Sequence, residues 1–331
     1  MIVDKYPADF GHTIVIDNLA ESLVSLGYTV GIGAFNFSEE PPNGIKKIKL
    51  NRLELLFNGT SKLKFDVFHI HQPRMIYYFL RLKKENKLFL HYHGISSWIQ
   101  KKNMKIGLWL GQKKILCVIS VSKYGKKIFA QFNHNIPIRI VENGVKDNWG
   151  NSKHILKNEQ LKLLFVGGLY KHKNVLELIS IMPKILEKYP HANLDIIGNG
   201  KEEKEVKNLI SKLGLKNKIK LLGKMEHKKI SLNYELSDVY ISTSKLETYP
   251  IPPIEAMGFG KPVLLSDIEP HQNIVNDSKA GFIFRNINEV VPKLEEIILQ
   301  KHILKINAKK YANEHSWKII TKKIIEIYDS F

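Results

Sequence analysis

Glu247 and Glu255 stand eight residues apart in the run Glu247-Thr-Tyr-Pro-Ile-Pro-Pro-Ile-Glu255, and Ala256-Met257-Gly258-Phe259-Gly260-Lys261-Pro262-Val263 follows at once. A proline at the first helical position is pre-organised, because its missing N–H would have had no partner there. A helix is therefore expected from about Pro253 to Gly258, with Glu255 in its first turn and Glu247 on the proline-rich loop before it. Such a loop brings a carboxylate, several backbone amides and a helix N-terminus into one small volume. That set suits a ligand with hydroxyls at one end and phosphate at the other, and a nucleotide sugar is such a ligand. Taken alone, a Glu in a first helical turn equally well complements the helix dipole.

A second candidate lies upstream, in Phe165-Val-Gly-Gly-Leu-Tyr-Lys-His-Lys-Asn-Val175. A strand ends at Gly167 and Gly168, a basic loop follows, and Asn174 is placed to cap the next helix, with Glu177 three residues on. Glycines let the backbone approach a diphosphate, and Lys173 can balance its charge. Gly198 and Gly223 mark two further strand ends. Four histidines come in two pairs, His69/His71 and His91/His93, and alternation along a strand puts the members of each pair on one face. Histidine is a common metal ligand. No cysteine or carboxylate pattern accompanies these pairs, so His69, His71 and His91 are expected to be satisfied at strand ends, and no metal site or cofactor is expected.

The elements that must carry these residues alternate as strand and helix, the pattern of units built around a parallel sheet. In the first half, after a short strand at Ile2-Val3, a helix over about 12–26 ends at Gly27. Strands are expected at Thr29–Phe35, Val67–His71, Leu88–His93, Leu116–Val121 and Ile138–Val141. The polar stretch Lys146–Gln160 reads as a linker. Beyond it come strands at Leu161–Val166, Asn193–Ile197, 219–222, 239–242 and Pro262–Ser266. Helices are expected at Val175–Lys188 and Glu202–Leu213, with one long closing helix over about Ile303–Tyr328. The fold class is α/β, in domains of 1–150 and 151–311 with a closing segment at 312–331. At 331 residues the chain exceeds one typical core and suits two.

With 44% apolar and 25% charged residues the chain reads as globular. One cysteine, Cys117, excludes an internal disulfide and favours a reducing compartment. No signal-peptide pattern or long apolar run is seen, so a cytoplasmic location is expected. The net charge of +19 favours polyanionic partners. It concentrates between Trp98 and Lys127, where Lys101, Lys102, Lys105, Lys113, Lys114, Lys123, Lys126 and Lys127 stand with no acidic residue among them. Trp98, Ile99, Met104, Ile106, Leu108, Trp109 and Leu110 interleave with the first of these lysines. This composition fits a segment lying on an anionic membrane surface, or else a solvated lysine face over an ordinary core helix. No nucleic-acid-binding module accompanies the charge.

The run from Glu247 to Val263 resembles the Glu-(x)7-Glu signature of the retaining glycosyltransferases of family 4. There the stretch commonly reads Glu-Gly-Phe-Gly-Leu-Pro-Pro-Leu-Glu-Ala-Met and then Gly-x-Pro-Val. Glu247, Pro252, Pro253, Glu255, Ala256, Met257, Gly260, Pro262 and Val263 match it, while Thr248 and Pro250 replace its two glycines. The resemblance implies two facing Rossmann-like domains of the GT-B type with an interdomain cleft. It also implies a sugar moved from a nucleoside-diphosphate sugar to a saccharide or lipid-linked saccharide, without metal, in bacterial surface polysaccharide assembly on the inner face of the cytoplasmic membrane. By the same resemblance Glu247 contacts the donor sugar and Glu255 the ribose hydroxyls, with Thr248, Tyr249, Pro250 and Ile251 beside the donor. Lys173 stands where the family has a Lys, Gly168 where it often has an Arg, and Gly11 in its glycine loop, with His12 replacing a second glycine. Gly198, Gly223 and Met225 fall in the nucleotide pocket, and His93 where the family points a His at the sugar. Catalytic roles are thus implied for His93, Lys173 and Glu247. The family's first strand starts a few residues earlier, which implies a clipped first strand. An epimerase of the same architecture, and an inactive protein that binds a membrane surface, are the alternatives.

Overall fold

The computed structural model describes residues 1–8, 12–95, 98–133, 135–146 and 161–331, so Gly11 and residues 147–160 of the expected linker lie outside the described residues. The chain divides into two compact units, one of Met1–Gly144 with His315–Phe331, the other Val145–Glu314.

In the first unit β5 (Val67–Ile70), β6 (Lys87–Tyr92), β7 (Ile115–Ser120) and β8 (Ile138–Ile140) form a parallel sheet in that order. Two parallel pairs accompany it: β2 (Gly31–Ala34) with β4 (Lys46–Lys49), and β1 (Lys5–Tyr6) with β3 (Asn36–Phe37). The expected Ile2-Val3 strand is reduced to isolated parallel bridges from Ile2 to Gly33 and Ile70. The helices are α1 (His12–Ser25), α2 (Arg52–Asn58), α3 (Trp98–Gly111) and α4 (Lys123–Ala130). The core gathers Phe68, Ile70, Met75, Phe79, Leu90, Tyr92 and Phe129.

The second unit is one six-stranded parallel sheet. Its strands are β9 (Lys162–Val166), β10 (Asn193–Ile197), β11 (Ile219–Gly223), β12 (Val239–Ser242), β13 (Val263–Ser266) and β14 (Gly281–Phe284), in the order β11-β10-β9-β12-β13-β14. Renumbered within the unit this is 3-2-1-4-5-6, the doubly wound order whose ligands sit beyond the strand carboxyl ends where the order reverses, here between β9 and β12. Helices α5 (Val175–Lys188), α6 (Glu203–Lys212), α7 (His227–Leu236), α8 (Ile251–Gly258), α9 (Glu269–Ser278), α10 (Val290–Leu299) and α11 (Lys301–Glu314) cover it. The expected single closing helix is broken. α11 stops at Glu314 and α12 (Trp317–Asp329) starts afresh, because the Ser316 hydroxyl accepts from the Ile319 N–H and caps the new helix. The break falls where the chain leaves the second unit. In the first unit α12 is held by His315 Nε2, 2.7 Å from a Glu142 carboxylate oxygen, and by Trp317 packed on Gly144.

Candidate active site

The loops after β9 and β12 meet at the sheet's reversal point. Lys173 lies in a short turn, Lys171–Lys173, just before α5, and its ammonium pairs with the Glu247 carboxylate. The two side chains are only 20% and 13% exposed, so solvent screens the pair less than a surface pair. The turn and the loop are tied by backbone as well. Thr243 Oγ1 donates to the Asn174 carbonyl at 2.9 Å, and the Lys245 N–H donates to the His172 carbonyl at 2.7 Å. Asn174 does not cap α5 as expected. It sits in the left-handed region at φ 54° and its side-chain amide donates to the Glu177 carboxylate.

Strand-end loops of neighbouring strands interlock. The Gly167 N–H donates to the Ile197 carbonyl, and the Gly198 N–H to the Gly223 carbonyl, each at 2.9 Å. Gly198 has φ 139°, and a Cβ there would stand 1.9 Å from the Gly167 carbonyl oxygen. Only glycine fits this contact. At Gly168 a Cβ would lie 2.5 Å from the Tyr170 ring, which stacks on His172, so aromatic rings fill the space beside that residue. Met225, just past β11, accepts a weak bond from Asn233 at its sulfur, 3.6 Å away.

α8 begins at Ile251, two residues earlier than expected, which makes Glu255 its fifth residue rather than part of the first turn. Of the N-terminal groups that lack an intrahelical acceptor, Pro250, Pro252 and Pro253 have no N–H, leaving Ile251 as the one donor. The several helix amides expected there are therefore reduced to one. Glu255 is buried, and its Oε2 accepts from the Tyr234 hydroxyl at 2.8 Å. Burial, and then Glu255, drive the Tyr234 pKa up, keeping the phenol a donor.

In the first unit His93 follows β6, and its Nε2 lies 3.1 Å from His71 Nδ1. The ring of His12, first residue of α1, lies 4.5 Å from that of His93. Burial lowers the His93 pKa well below the ordinary histidine value, with His91 and His12 adding to the effect. His69, His71 and His91 stack beside them. Not all are satisfied as expected: neither nitrogen of buried His91 has a partner among the described residues. α3 buries Met104, Gly107, Leu108 and Gly111 and leaves Trp98 and Trp109 70% and 76% exposed, with Lys102 and Lys105 on the same outward stripe.

The sequence family described as "Glycosyl transferases group 1" matches residues 149–315, and that described as "Glycosyltransferase Family 4" matches residues 11–149. The chain belongs to the group 1, family 4 glycosyltransferases. An uncharacterized glycosyltransferase of Haemophilus influenzae is 32% identical over 147 residues, 44% of this chain and 41% of that one. Alpha-monoglucosyldiacylglycerol synthase of Acholeplasma laidlawii is 25% identical over 166 residues, 48% of this chain and 42% of that one. These matches thus span less than half the length of either relative. Among solved structures, that of Anabaena Alr3699/HepE in complex with UDP and glucose superposes with a TM-score of 0.79 at 18% identity, covering 100% of this chain and 99% of that one. This likeness establishes the fold, two Rossmann-like domains.

In this glycosyltransferase the second unit brings Lys173 together with Glu247, and sets Gly167, Gly168, Gly198 and Gly223 on interlocked loops. Thr248, Tyr249, Pro250 and Ile251 run from Glu247 into α8. Sequence reasoning missed several residues that support them. Tyr234 holds Glu255, Thr243 ties the two loops, and His271 lies fully buried with Nδ1 2.9 Å from the Ser266 carbonyl. Burial lowers the His271 pKa to about 4, Glu247 opposing and Lys173 reinforcing, which places the ring within electrostatic reach of the ion pair. Only the parallel order that packs β12 beside both β9 and β13 brings these residues near the glycine loop. His271 had no local signal at all.

Proposed function

We propose that the protein is a retaining glycosyltransferase that moves a sugar from a nucleoside-diphosphate sugar to a saccharide or lipid-linked saccharide in bacterial surface polysaccharide synthesis. The observation that carries this reading is the Lys173–Glu247 pair at the reversal point of a 3-2-1-4-5-6 sheet, eight residues before a buried Glu255. The second unit takes the donor. Glu255, oriented by Tyr234, accepts from the ribose hydroxyls, and Gly167, Gly168, Gly198, Gly223 and Met225 surround the nucleotide. Glu247 accepts from sugar hydroxyls while Lys173 turns its ammonium to the diphosphate.

As the bond from the anomeric carbon to the β-phosphate oxygen breaks, negative charge grows on the departing diphosphate, and a fixed cation there lowers the barrier. The acceptor oxygen forms its bond to the anomeric carbon on the same face, and its proton passes to the departing phosphate oxygen. Donor and products balance without a covalent enzyme intermediate and without a metal on the diphosphate. His93 hydrogen-bonds the sugar from the first unit, which receives the acceptor. The glucose-bearing lipid named for the Acholeplasma relative and the UDP in the Anabaena structure support a lipid-associated acceptor and a uridine donor.

The test is unfolding in the presence of UDP, GDP, ADP and TDP sugars with a chelator. A ligand at 100 times its Kd adds about 2.7 kcal/mol to stability. One nucleotide should stabilise the wild type and not Glu255→Ala, and product anomer analysis should show retention. Stabilisation by none, in folded protein, or an inverted product, would sink the reading.

A further inference from the structure

The histidines on β5, just after it and on β6 converge in the first unit. His69 and His71 stack at 4.6 Å between ring centroids, His69 and His91 at 5.0 Å, and His71 and His91 lie 5.2 Å apart. All three are 1–2% exposed. Their pairing is incomplete. His69 Nδ1 meets the Tyr328 hydroxyl, but His69 Nε2 and both nitrogens of His91 are buried without a partner among the described residues. His71 Nε2 has only the Met1 sulfur, 3.3 Å away. Leaving polar nitrogens unmatched in an apolar interior is costly, and ring stacking does not supply the missing partners. Three such rings, with nitrogens clustered and largely unmatched, form a candidate receptor for an electrophile.

We propose that His69, His71 and His91 bind a late first-row transition metal ion through imidazole nitrogen. One ligand nitrogen from each lies within 4.8 Å of the other two. Bonds of roughly 2.0–2.1 Å to a tetrahedral ion set nitrogens about 3.3 Å apart, so binding requires the stacked rings to tilt and draw together through side-chain rotation. Among the described residues the group that could hold an ion is these three histidines and no carboxylate, which disfavours the hard oxygen-seeking ions magnesium and calcium. Zinc(II) and copper(I) are the ions such a set selects. The site lies in the first unit and does not depend on the glycosyl-transfer reading.

The experiment uses untagged full-length protein stripped with chelator, then loaded with zinc(II), or with copper(I) under anaerobic conditions, desalted and analysed for metal. Wild type should retain one equivalent of at least one of the two ions. The double variant His69→Gln/His91→Gln should retain fewer than about one ion per ten chains, while His302→Gln, at an exposed histidine, should match wild type. Failure of wild type to hold either ion, or equal retention by the double variant, overturns the proposal. If the double variant does not fold, cobalt(II) loading of wild type decides. Visible d–d bands of a four-coordinate nitrogen site support the assignment, and a spectrum of hydrated cobalt alone refutes it.

Discussion

At the residue scale the second unit prepares for charge before any ligand arrives. Lys173 pairs with Glu247 in a mostly buried setting, so a cation stands at this loop before it turns to the diphosphate proposed above. Removing a pre-organised group that meets developing charge typically costs 100- to 1,000-fold in kcat. Lys173→Ala should show a loss of roughly that size in steady-state turnover, with Lys173→Arg recovering part of it. A variant retaining full kcat would remove Lys173 from the reaction. His271 makes a different prediction. Its folded-state pKa is about 4 against 6.5 in the unfolded chain. Between those values the unfolded chain binds a proton that the folded chain refuses, so stability falls as pH drops from 6.5 towards 4. The full loss from this one ring is about 3 kcal/mol. Denaturant unfolding at pH 7 and pH 4.5 should show His271→Gln losing less stability than wild type over that interval. Equal slopes would mean that the ring protonates in the folded protein.

At the element scale the second unit depends on loops that cannot be separated. Gly198 at φ 139° packs on the Gly167 carbonyl, joining the loop after β10 to the loop after β9. Gly198→Ala combines a disfavoured backbone with an overlap that flexible side chains cannot relieve. It should lower stability by about 2–4 kcal/mol and weaken nucleotide binding with it. A midpoint of chemical unfolding unchanged from wild type would show that the loops yield cheaply. Much at this scale was legible in the sequence. Helix α5 and strand β10 are where the apolar spacing puts them, and the proline-rich loop leads into a helix as its residues require. The break between α11 and α12 was not legible, because Ser316 interrupts a run whose helical spacing continues on both sides. The capping role of Asn174 was misread, since its left-handed backbone is set by the loop packed against it. The histidine pairs each read correctly as one face of a strand. Their convergence follows from register: His69 lies opposite Phe89, so His71, His91 and His93 all project from the same side of β5 and β6. Pairing register between distant strands is not written in either strand.

At the scale of the whole molecule a net charge of +19 needs a location, and the outward stripe of α3 supplies one. No helix among the described residues is long and apolar enough to cross a membrane, and the contact proposed here is one made by the α3 surface. Lys114 donates to the Leu82 carbonyl and is partly committed to the fold, whereas Lys101, Lys102, Lys105 and Lys113 are exposed. An anionic surface gains about 1 kcal/mol per nearby lysine, a term that salt screens over about 10 Å at 0.1 M. Trp98 and Trp109 contribute through apolar area, which salt does not screen. The two contributions therefore separate. Changing the four lysines to Gln should weaken binding to phosphatidylglycerol-containing vesicles by 100-fold or more at low salt, and wild type should approach the variant as salt rises. Changing both tryptophans to Ser should weaken binding at every salt concentration, including on neutral vesicles. Because Gly107 and Gly111 face inward against Pro73 and Ile76, substitutions on the outer stripe leave the packing of α3 intact, so the folded fraction is unchanged in both variants. Vesicle sedimentation across a salt series checks this. Binding indifferent to both sets of changes would assign the charge to solvation alone and leave the acceptor to be sought in water.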